Sequence, residues 1–153
     1  MADPLVETWI IHDRIHRYLL DAIEEEALSA VLAPKHRSVF QLFAHLHNVR
    51  LLWLKSAAPD LLAGLEKIEG TSGPKKLLVS ALTASGKAIG ELIAQSIASG
   101  GKVKGFKPHV TAFVGYLISH ESHHRGQICW TLKATRHPLP QKVAYGLWEW
   151  GVR

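Results

Sequence analysis

Four long stretches of this chain carry apolar side chains at the three- and four-residue spacing of an α-helix, and proline or glycine closes each of them off. The first runs from Asp3 to Ala30, with Ile11, Ile15, Leu19, Ala22 and Ile23 on one stripe and Pro4 suited to its first turn. Pro34 stops it, since proline removes a donor and restricts the residue before it. The second opens at Ser38, where Ser38-Val39-Phe40-Gln41 reads as a capping box, and continues to Ala57. The third begins near Pro74 and carries Leu78, Leu82, Ile89, Leu92 and Ile93 as far as Gly100-Gly101, and the fourth runs from Pro108 to about Thr135. Residues 59–74, with Gly64, Gly70 and Gly73, read as a connection holding one short turn near Leu61. No convincing strand pattern interrupts these stretches. The expected fold is all-α, a single antiparallel four-helix bundle spanning residues 1–153 as one domain.

A chain of 153 residues buries a core without disulfides, and its one cysteine, Cys129, has no partner for one. A reducing, cytoplasmic setting is the simplest account. The formal charge of +5 is scattered rather than stacked in runs, so nucleic acid is not an expected partner. The short basic loop Lys102-Val103-Lys104-Gly105-Phe106-Lys107 is the exception, and would attract an anionic small-molecule substrate. Charges interrupt the apolar runs before the roughly 18 residues of a membrane span, and no membrane partner is expected. No G-x-S-x-G is present, and Cys129 has no positioned base, which leaves histidine as the candidate for chemistry.

Within the fourth stretch, His120-Glu121-Ser122-His123-His124-Arg125-Gly126-Gln127 places His120 and His124 four residues apart, on one helix face. Two such imidazoles reach one divalent ion, and a third ligand must come from elsewhere. The spacing is cheap in a chain with ten histidines, as His12 and His16 show; those two border an apolar stripe and suit buried, hydrogen-bonded roles. His123, three residues from His120, is a rival second ligand on geometry alone. On the second stretch His45 edges one apolar stripe and His47 lies on another, and periodicity does not choose between them. Tyr116 and Gln127 share the face of the histidine pair and are the candidates for orienting a substrate, while Glu121 and Arg125 suit structural or surface positions. The aromatic tail from His137 to Trp150 folds back over the bundle, buries in a partner chain or lines the pocket mouth.

The run HESHHRGQI resembles the closing motif of the DinB-like family of small metal-binding four-helix proteins, and Ser38 to Leu46 followed by Trp53-Leu54 resembles that family's second helix. The resemblance implies His45, His120 and His124 as ligands of a divalent metal, zinc or nickel, with His47 held as the backup. It implies a long connection between helices two and three, which residues 59–74 suit, a metal in an open cleft near one end, and a homodimer. Characterised relatives include thiol S-transferases and a thiol-dependent isomerase. The implied function is therefore a metal-dependent enzyme acting with a low-molecular-weight thiol, or failing that a hydrolase. A non-enzymatic metal-binding or stress-response bundle, whose site is structural or vestigial, is the alternative.

Overall fold

The computed structural model describes residues 2–153. Four long helices, α1 (Pro4–Asp21), α2 (Val39–Ala57), α3 (Lys75–Ala98) and α4 (Val110–Ala134), are followed by a short α5 (Gln141–Gly146). Among the described residues there is no named strand, only two isolated bridges, Val31 with Ser38 and Val103 with Phe106. The protein is all-helical.

The first helix ends at Asp21 rather than at Ala30, and a 3-10 turn at Glu25–Ser29 follows it. Three successive carboxylates, Glu24, Glu25 and Glu26, would sit at the negative end of a continued helix dipole, which disfavours them there. After the break Ala27 and Leu28 turn into the core, and Glu25 instead accepts from the backbone N–H of Lys75 at the start of α3 (3.2 Å). The capping box opening α2 forms in full: Ser38 Oγ accepts from Gln41 N (3.1 Å), and Gln41 Oε1 accepts from Ser38 N (2.9 Å). The connection between α2 and α3 starts with a 3-10 turn at Pro59–Leu62 and then lies along α2. Asn48 grips it by exchanging two 2.9 Å bonds with the backbone of Ile68. In α4 the ring of His109 caps the helix by accepting from Ala112 N.

Two apolar clusters fill the interior. One contains Ile15, Leu19, Phe43, Leu46, Leu82 and Ile128; the other contains Trp9, Leu54, Ile89, Ile93, Phe113 and Leu117. Followed along the chain, α1 and α4 pass from the second cluster to the first, and α2 and α3 pass from the first to the second. Hence α2 and α3 point the same way, and the long connection returns the chain to begin α3. The antiparallel expectation applies to α1 with α2 and to α3 with α4, but not to this pair.

Among the described residues α3 alone has the length and apolar composition of a membrane-crossing helix, which the sequence reading overlooked; half of that stretch is buried. Leu78, Leu82, Ile89, Leu92 and Ile93 enter the two clusters, so packing accounts for its apolar character. The tail folds back onto the bundle. Leu147 is buried, and the Arg153 guanidinium lies 3.7 Å from the centre of the Tyr18 ring, while Tyr145 and Trp148 stay exposed.

Candidate metal centre

The residues separating the two apolar clusters are polar, and one of them sits on every long helix. Arg50 of α2 is fully buried. It donates to both carboxylate oxygens of Glu121 in α4 (2.8 Å each), to Asp13 in α1 (3.0 Å) and to the carbonyl of Leu82 in α3 (3.1 Å). A buried charge is tolerated only when paired and hydrogen-bonded, and this arginine is both. Burial alone would raise the Glu121 carboxyl, but the Arg50 guanidinium and His12 hold it well below the usual carboxylate range. His12 Nε2 lies 3.2 Å from Glu121 Oε1, and His16 bonds the backbone carbonyl of His12 through Nδ1. Glu121 is thus an interior ion-pair partner.

This layer fixes α4 against α2, and on its rim the two helices bring His45, His120 and His124 together. One ring nitrogen of each lies within 4.8 Å of the other two. The ring centres are 5.3 Å apart for His45 and His120, 4.5 Å for His45 and His124, and 4.7 Å for His120 and His124. Burial, then the charge of Arg37, push His45 down to about 4, while burial also lowers His120 and His124. All three are therefore neutral near pH 7, the protonation state a metal ligand needs.

The donor set suits a divalent ion. Gln127 Oε1 accepts from His124 Nδ1 at 2.7 Å, which puts the ring's lone pair on Nε2. His120 keeps a buried Nδ1 with no hydrogen-bond partner among the described residues, an arrangement that is costly unless the ring is otherwise held. A second group, His12, His16 and Glu121, is similarly close. There the Arg50 guanidinium already occupies both carboxylate oxygens, so a metal ion would meet a cation at contact distance.

Of the remaining candidates only His47 lies apart from the trio. His47 turns to the connection, where its Nε2 is 2.7 Å from the Glu66 carbonyl oxygen. His123 is exposed, its ring 5.0 Å from that of His124. Tyr116 is 41% exposed and stacks on His120 with ring centres 6.3 Å apart, joining a wall of Trp53, Phe106 and Phe113. Phe106 brings the basic loop 102–107 against this wall. Gln127 contacts His124 itself. Cys129 is partly buried against the core, and burial raises its thiol.

The fold and this geometry meet a direct comparison: the chain matches the DinB family over residues 1–142. It belongs to the DinB family. The match takes in all four long helices and all three histidines, and leaves only the end of the tail outside. No curated protein matches this DinB chain.

Arg50 and Asp13 escaped the sequence reading. A signal was present: Leu46, Arg50 and Leu54 are spaced by four, so a charge stands on an apolar stripe.

Proposed function

We propose that His45, His120 and His124 hold a divalent metal ion, zinc or nickel, on a four-helix-bundle scaffold, and that the protein acts as a metal-dependent transferase on a low-molecular-weight thiol. The observation that carries this reading is the neutral three-imidazole group, with His47 bonded to the Glu66 carbonyl and the exposed His123 outside the group. Three protein ligands leave a position for a substrate, whereas structural sites close it with a fourth. DinB membership supports a metal-associated bundle.

Such an ion, when bound, lowers the pKa of a thiol or water that joins it and so supplies a nucleophile at neutral pH. The chain's own residues do the rest. Gln127 fixes the tautomer and orientation of His124, since its carbonyl accepts only from a protonated Nδ1. Tyr116, 41% exposed and with its ring within 16° of parallel to that of His120 at 6.3 Å, stands beside the trio where it would orient a substrate. Arg37 places a positive charge beside the trio, favouring an anionic form of whatever binds there.

Cobalt-loaded protein titrated with cellular thiols tests the reading. A new sulfur-to-metal absorption band, together with thiol transfer to an electrophile that the metal-free protein does not perform, is the expected result. An unchanged spectrum across the panel would remove the thiol and turn the reading to a metal-activated water, and so to a hydrolase.

A further inference from the structure

Beside the histidine trio, the loop between the 3-10 turn and α2 forms one wall of a cleft of about 450 Å³, lined by Leu32, Lys35, His36, Arg37, Gln127 and Trp130 among others. Two residues connect it to the trio. Gln127 lines the cleft and bonds His124, and Arg37 lines both this cleft and a neighbouring one that contains His45.

The charge in this cleft is one-sided. Lys35 and Arg37 have no ion-pair partner among the described residues, and no carboxylate lines the cavity. The neighbouring cleft differs, because Glu69 lines it and pairs with Lys67 at 3.3 Å. Nor is the cationic loop slack. Val31 bridges Ser38, Val39 N donates to the carbonyl of Ala30 at 3.0 Å, and Lys35 is held at φ 72°, a left-handed conformation that a lysine rarely adopts. The opposite wall offers the 58% exposed indole of Trp130, and Leu32 adds apolar surface. A guanidinium and an exposed indole lining one cleft suit an oxyanion carried on an apolar or aromatic frame, through bidentate hydrogen bonds and stacking.

The geometry points to this cleft as the substrate subsite of the metal centre, taking a small aromatic or apolar molecule with a carboxylate or phosphate that Arg37 anchors. The inference rests on the reading of the three histidines as that centre, but its test does not require the metal.

Metal-free protein, titrated calorimetrically with phenylacetate, phenyl phosphate and phenylacetamide, separates the chemistries. At least one anion is expected to bind, the neutral amide to bind about tenfold more weakly or worse, and Arg37→Ala to weaken the anion by about tenfold while Arg37→Lys recovers part of the loss. Which anion binds tells carboxylate from phosphate. Trp130→Ala should weaken whichever aromatic anion binds and leave its non-aromatic counterpart, acetate or inorganic phosphate, unchanged. Both side chains are exposed, so neither replacement empties the core. Equal binding of amide and anion, equal binding by Arg37→Ala, or no binding of either anion overturns the proposal. Zinc and nickel content, measured separately, keeps the two readings distinct: anion binding without uptake of either metal sinks the metal centre and leaves an anion cleft that serves no such centre, and metal uptake without anion binding sinks the subsite alone.

Discussion

Each histidine here takes its role from what surrounds the ring. Replacing His45, His120 or His124 with alanine should lower zinc or nickel affinity by more than the about 10- to 100-fold that losing a ligand's hydrogen-bond partner costs, whereas His47→Ala should keep the metal and lose stability with its bond to Glu66. Elemental analysis of tag-free protein reads both, and full metal occupancy in His45→Ala would refute the assignment. Because burial and the Arg37 charge depress these imidazoles, metal retention should persist below pH 6.5, the ordinary midpoint of a histidine. His16 supplies a pH effect on folding. Burial, then the nearby His12, push it down to about 3 from the ordinary 6.5, so between those values the unfolded chain binds the proton and the folded chain does not. Stability is thus full above pH 6.5 and falls toward pH 3, by about 1.4 kcal/mol per pH unit for such a group. The depressed Glu121 contributes in the same direction only below its ordinary 4.5. Urea melts of the metal-free protein between pH 7 and 4.5 should show at least this slope, since His12, His45, His47, His120 and His124 are depressed as well, and His16→Gln should reduce it by one group's share.

Between elements, the interior ion pair decides how the helices meet. Arg50→Ala leaves the Glu121 and Asp13 carboxylates uncompensated in the core and should cost about 3–5 kcal/mol in urea unfolding, much of it recovered when the carboxylates are also replaced by apolar residues of similar size. Gly86 of α3 has a matching part. A methyl group there would run into the Asp13 carboxylate, so Gly86→Ala should destabilise by about 1–3 kcal/mol despite its better helix propensity. A neutral or stabilising result would show that α1 and α3 are not held this closely.

At the scale of the whole molecule, the chain beyond residue 140 braces α1 without reaching the histidines. Deleting residues 141–153 uncovers the surface that Leu147 and Arg153 cover and should cost about 2 kcal/mol in a thermal melt, with bound metal per chain unchanged. Loss of metal on deletion would tie the tail to the centre.

Local chemistry settled a good part of this protein in the sequence itself. Apolar spacing and proline or glycine breaks marked the four helices, the Ser38-Gln41 box marked the start of α2 within a residue, and the HxxxH spacing put His120 and His124 on one face, because all three depend on residues within a turn of each other. Contacts between helices were decided only by the tertiary structure. The inward stripe of α4 passes through Glu121 rather than His120, since Arg50 waits for it across the core. Periodicity left His45 and His47 open and only the family resemblance favoured His45; in the fold His45 faces the pair, while His47 bonds the connection to α3. The shared direction of α2 and α3 likewise follows from where a long connection returns the chain. Periodicity carries no record of a partner from another helix, and at each of these positions it is that partner's charge or hydrogen bond that sets the outcome.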